Sequence, residues 1–180
     1  MKKIADYTGQ ELKWVQPDGS KMEYELRTGE GEVVAALRFR SSFGSFATAT
    51  SADGTWTFKR VGFFQTKATI RAARSEADLA FFENNTWKSG GTLQFADGRK
   101  FLANTNFWET QLDFSTESGD PLISYKRIGG IIHLSSVIEI HPLTKNIPEL
   151  PWMVMLGWYL ILMMNMDNAA MISVIGTTMS

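Results

Sequence analysis

The chain has no cysteine, which excludes a disulfide framework and any thiolate metal site. It has no excess of either charge: 18 Lys/Arg stand against 19 Asp/Glu, a net charge of -1. No global field therefore draws it toward nucleic acid or membrane. Lys2 and Lys3 have no apolar signal-peptide core behind them, so a cytoplasmic location is the expectation and the Asn84-Asn85-Thr86 sequon carries no meaning. No Gly-x-Ser-x-Gly elbow and no His-Glu-x-x-His pair is present, which removes two common catalytic signatures. A clean apolar run of about 20 residues, the length a spanning helix needs, is also missing. The run from Leu150 to Met164 is 15 residues long, roughly 22 Å as a helix.

Turn punctuation, by contrast, is plentiful. Pro17-Asp18-Gly19, Ala52-Asp53-Gly54, Ala96-Asp97-Gly98 and Ser118-Gly119-Asp120-Pro121 each join an aspartate or proline to a glycine that accepts positive φ. Gly29-Glu30-Gly31 lacks the strand-to-helix context of a phosphate loop and reads as a hairpin turn. Between the turns, apolar and polar residues alternate. Met22, Tyr24 and Leu26 alternate with Glu23, Glu25 and Arg27, and Trp108, Leu112 and Phe114 with Glu109, Gln111 and Asp113. Such alternation describes strands with one buried and one wet face. Twelve are expected, near 11–16, 21–27, 33–40, 45–52, 55–61, 64–73, 78–84, 91–96, 99–105, 107–115, 121–127 and 131–141. With 44% hydrophobic and 21% charged residues in 180, residues 1–180 read as one domain with a large core.

Pro142, Pro148 and Pro151 then break the strand pattern, and Pro151 suits a first helical turn. A helix is expected over about 150–166, closed by Asn165, Asp167 and Asn168, with 167–180 a mildly apolar tail expected to fray. A helix apolar on every side needs lipid or protein around it. Extension to Ile175 reaches spanning length but carries Asp167 into the membrane, at up to roughly 3 kcal/mol. Twelve strands closed into a barrel make room for one helix and leave no exposed sheet edge. The expected fold is all-β with one central helix: a closed antiparallel barrel of about twelve strands around the C-terminal helix. A C-terminal membrane anchor is the rival.

Leu102-Ala103-Asn104-Thr105-Asn106-Phe107-Trp108 and the run from Gly129 through Glu139-Ile140 to Leu150-Pro151-Trp152 and Leu156-Gly157-Trp158-Tyr159 are set among these strands and the final helix. Together they resemble the tubby-like barrels, a superfamily of tubby C-terminal domains, plant LURP-one-related proteins and phospholipid scramblases. The nearest pattern is that of uncharacterised bacterial members, and it covers most of residues 20–166. The resemblance implies binding rather than catalysis, because tubby domains bind phosphoinositide head groups through surface lysines and arginines. No tubby lipid-binding position matches this chain residue by residue. The acidic calcium segment of scramblases has no counterpart either, since His141 to Glu149 holds one acid, Glu149, and there is no cysteine to palmitoylate.

Charge is unevenly spread along the chain. Residues 33–74 carry Arg38, Arg40, Lys59, Arg60, Lys67, Arg71 and Arg74 against Asp53, a net +6 between flanks of -2 and -5. With Leu37 and Phe39 pointing in, Arg38 and Arg40 point out. Lys59 follows the same parity, as do Lys67 and Arg71 if Ala68 and Ile70 face in. Consecutive strands usually pair, so Arg38, Arg40, Lys59, Lys67 and Arg71 form the candidate anion or lipid site. A guanidinium fork binds two phosphate oxygens and an ammonium adds a point charge. The competing reading is a solvated face neutralised by Glu23, Glu25, Glu109 or Asp113.

Other chemistry finds less support. Phe39, Trp56 and Phe58 have the opposite parity, so no aromatic platform for single-stranded nucleic acid is expected. His133, Glu139 and His141 share one strand face, but alternate residues sit about 7 Å apart, and a metal needs ligands converging from elsewhere. No metal and no cofactor is expected; the tryptophans and methionines of 152–166 read as core filler. The functional expectation is a non-enzymatic protein, cytoplasmic and peripheral to the membrane, that binds anionic phospholipid head groups or another phosphate-bearing ligand. A membrane-anchored β-domain and a protein–protein scaffold stay open beside it.

Overall fold

The fold is that of a computed structural model, which describes residues 2–61, 67–85, 90–106, 110–128 and 134–178, with side chains as far as residue 170. The alternating segments become twelve antiparallel strands. They are β1 Glu11–Val15, β2 Glu23–Thr28, β3 Val33–Phe39, β4 Ala47–Ser51, β5 Gly54–Val61, β6 Lys67–Ala72, β7 Asp78–Asn84, β8 Gly90–Phe95, β9 Lys100–Thr105, β10 Gln111–Thr116, β11 Pro121–Ile128 and β12 Ser135–Ile140. Each pairs with the next, and β1 closes on β12 with Leu12 opposite Ile138. Among the described residues, closure leaves no strand edge open to a second chain. The strand ends expected at 64–66, 107–109 and 131–133, with Trp108, Glu109 and His133, lie outside the described residues.

Burial follows parity. Leu12 and Trp14, Tyr24 and Leu26, Leu37 and Phe39 are buried, and their sequence neighbours in the same strands are mostly wetter. Several of the turns fall where the glycines are. Gly31 and Gly98 have φ of 87° and 88°, a region that strains any residue with a Cβ, and the Gly98 N–H donates to the Phe95 carbonyl.

The apolar run lies inside the barrel. A 3₁₀ turn at Pro142–Asn146 leads into the helix α1, Leu150–Thr178, and every residue from Trp152 to Met163 except Gly157 is among its buried apolar side chains. Trp158 stacks on Trp14 and Tyr159 on Phe39, with ring centroids 6.0 and 5.7 Å apart. The Tyr125 ring lies against Gly157, and its hydroxyl donates to the Val154 carbonyl at 2.8 Å. Protein rather than lipid therefore surrounds residues 152–163. Among the described residues no helix is long and apolar enough to cross a membrane.

The end of the helix departs from expectation. α1 does not close near 166 but continues through Asn165, Asp167 and Asn168 to Thr178. Asparagine and aspartate cost a helix interior only fractions of a kcal/mol, and no glycine or proline intervenes before Gly176. Asp167 is also held by both terminal nitrogens of Arg60. The helix enters the barrel where Arg99 pairs with Glu149 and leaves where Arg60 pairs with Asp167. The connection from β3 to β4 lies at this exit end, tied to α1 through Ser45 and Tyr159.

Candidate functional site

Strands β5 and β6 build the site. Their register sets Thr57 opposite Arg71 and Lys59 opposite Thr69, and these side chains point outward because Phe58, Ala68 and Ile70 point in. Lys59 and Arg71 are thus diagonal neighbours, their backbones roughly 7–8 Å apart and within reach of one ligand. Both line an open trough of about 320 Å³ that has Phe46 and Val61 toward the exit end and Arg74 and Ser75 at the other. Thr57 and Thr69 lie between. Cations flanked by hydroxyls suit an oxyanion: the guanidinium and ammonium supply charge and the hydroxyls donate hydrogen bonds.

Arg74 was not among the residues that parity selected. It lies in the turn after β6 with φ of 65°, a left-handed conformation that costs an L-residue roughly 1–2 kcal/mol. That turn folds Arg74 and Ser75 back onto the trough. The available signal was a turn, Ala73-Arg74-Ser75-Glu76, with no glycine to take the positive φ.

The five expected residues do not make one patch. Lys59 and Arg71 line the trough. Arg40 is exposed just beyond β3, and its N–H donates to the carbonyl of Phe46 on the trough's rim. Arg38 faces Glu23 across the ladder at 3.6 Å. It is three strands from Arg71, through Thr48 and Thr57, or roughly 14 Å at 4.8 Å per strand. Lys67 pairs with Glu83 at 3.2 Å. Register decides the difference, because Glu23 and Glu83 fall directly opposite a basic residue.

Neutralisation is therefore partial. Glu25 is taken by Arg27, and Asp113, across the barrel on β10, accepts from Gln111; Glu109 lies outside the described residues. A register shift after Ile70 sets Arg71 against Asp78, 2.5 Å away. Among the described residues no acid pairs with Arg40, Lys59 or Arg74.

Two other places were open to chemistry. His141 Nε2 lies 3.1 Å from the Ser124 hydroxyl, while its Nδ1 is 3.9 Å from Glu139, too far to hydrogen-bond. Among the described residues no three His, Asp or Glu side chains are grouped to hold a metal. At the exit end a hollow of about 40 Å³ lies between α1 and the sheet, with Leu160, Met163, Phe82 and Leu112 in its wall and Arg60 at its rim. It has space for a few waters at most. Arg60 is already committed, its pKa raised by the hydrogen-bonded Asp167 carboxylate.

No family model matches the chain, and no curated protein does. Among solved structures, the X-ray structure of a protein from Arabidopsis thaliana is similar to it, with a TM-score of 0.50 and 12% identity over 78% of this chain and 88% of that one. At this identity the likeness concerns the fold alone.

Proposed function

We propose that the protein is a non-enzymatic binder of phosphate-bearing ligands, and that the trough on β5 and β6 receives an anionic phospholipid head group at a membrane surface. The observation that carries this reading is the convergence of Lys59, Arg71 and Arg74 on one hydroxyl-lined depression with Asp78 as the paired acid. Exposed ion pairs such as Arg71 with Asp78 are worth at most about 1 kcal/mol, so a phosphate competes for Arg71 at small cost. We also infer membership of the tubby-like superfamily, in the LURP-one-related and scramblase-like group, from the closed twelve-strand barrel around a C-terminal helix.

Each basic residue near an anionic surface contributes roughly 1 kcal/mol, an attraction that salt screens. The test is co-sedimentation with vesicles of phosphatidylcholine and phosphatidylserine at low and high salt. Lys59→Glu combined with Arg74→Gly changes the trough by three charges, and glycine adopts the φ at position 74 without strain. Binding is expected to fall roughly 100-fold. Arg38→Glu, remote from the trough, is expected to bind nearly as well as the wild type. A folded double variant that binds vesicles like the wild type would remove the head-group reading and leave a protein–protein scaffold as the better account.

A further inference from the structure

The exit end carries a second feature. The connection between β3 and β4 reads Arg40-Ser41-Ser42-Phe43-Gly44-Ser45-Phe46, without an acid. At its tip Phe43 is 98% exposed, more than any other large apolar side chain among the described residues. The loop is nevertheless tied down. The Arg40 N–H donates to the Phe46 carbonyl at 2.9 Å. The Ser45 carbonyl accepts from the Tyr159 hydroxyl of α1 at 2.7 Å, and the Ser45 hydroxyl accepts from the Arg60 N–H at 3.3 Å. A loop anchored both to the buried helix and to β5 presents its tip in one direction, and what it presents is a bare phenyl ring. That ring contributes nothing to the core. A lone exposed apolar residue is ordinary on a protein surface, and what sets this one apart is the anchored loop and the basic flank that present it.

Its surroundings say what kind of partner fits. Exposed Arg40 lies three residues away, and Phe46, at the base of the same loop, shares the trough with Lys59. A protein partner calls for a broad surface with a charge-poor centre. A single ring on a narrow turn, flanked by cations, instead matches the boundary of an anionic bilayer, which needs no shape complementarity and rewards apolar tip and basic flank together.

We infer that the Arg40–Phe46 loop is a membrane-inserting tip: Phe43 enters the head-group and acyl boundary of an anionic bilayer while Arg40 and the trough engage lipid phosphate beside it. This rests on the head-group reading above and adds that the apolar boundary of the bilayer, and not the lipid phosphate alone, is engaged.

The experiment compares wild type, Phe43→Ser and Phe43→Leu for binding to phosphatidylcholine–phosphatidylserine vesicles and, by calorimetry, to inorganic pyrophosphate. The expected result is a Phe43→Ser protein about tenfold weaker on vesicles but unchanged toward pyrophosphate, with most vesicle binding retained by Phe43→Leu. Because the chain has no cysteine, a polarity-sensitive dye on Phe43→Cys reports from that position alone, and its emission is expected to shift to the blue on vesicles. Vesicle binding by Phe43→Ser at the wild-type level, or a dye that stays in water on bound vesicles, overturns insertion and leaves the trough reading standing. A wild type that binds pyrophosphate but no vesicles overturns both insertion and the head-group reading and leaves a soluble phosphate-bearing ligand for the trough. A wild type that binds neither overturns both.

Discussion

Gly157 and Arg74 both run against local preference, and tertiary structure accounts for what each does. Glycine within a helix costs about 1 kcal/mol relative to alanine, yet Gly157 stands in the middle of the buried stretch of α1. A Cβ there would collide with the Tyr125 ring. That ring is held by hydrogen bonds from its hydroxyl to the Met153 and Val154 carbonyls. Overpacking a core costs typically 1–3 kcal/mol, so Gly157→Ala is expected to destabilise by up to about 2 kcal/mol despite its better helix propensity. Calorimetry should show a lower Tm; a rise would mean that the Tyr125 ring yields without loss. Sequence parity identified Lys59 and Arg71 because outward orientation is a local property. It did not identify Arg74, whose position depends on a backbone conformation, nor separate Arg38 and Lys67 from the trough, because their partners Glu23 and Glu83 are set by register.

Among the elements, α1 carries the most information. Its buried stretch was legible as an uncharged run, whereas its length was not, since the polar residues at 165–168 look like a stop when the Arg60 that holds Asp167 is out of view. Arg60 supplies what the sequence withholds. It has inward parity, and its side chain is 18% exposed and forms a bidentate pair with Asp167 where the helix emerges. Removing the acid leaves a half-buried guanidinium unpaired, at about 1–2 kcal/mol. Asp167→Asn is therefore expected to speed amide hydrogen exchange between Met164 and Ala170 while the strand amides keep their protection. Unchanged exchange in that segment would mean that the pair does not secure the emerging helix.

At the scale of the whole molecule, barrel and helix are interdependent, because the inward faces of the strands and the all-round apolar helix have no other cover. A chain ending at Asn146 loses Trp152, Trp158 and Tyr159 together with the apolar contacts they make. It is expected to be aggregated or unfolded by size exclusion and near-ultraviolet circular dichroism. A soluble, cooperatively melting truncation would mean that the barrel packs its interior without the helix. The strand count, the turns and the presence of one apolar helix were determined by the sequence alone, because alternation, glycine-bearing turns and uncharged runs act over a few residues. Three matters belonged to the tertiary structure: which medium surrounds the helix, which cations share a surface, and which acids neutralise them. They depend on barrel closure and strand register, which bring Lys59 beside Arg71, Arg38 onto Glu23 and Asp167 onto Arg60. Such pairings join residues far apart in the chain, so the local pattern around any one of them is the same whether or not its partner arrives.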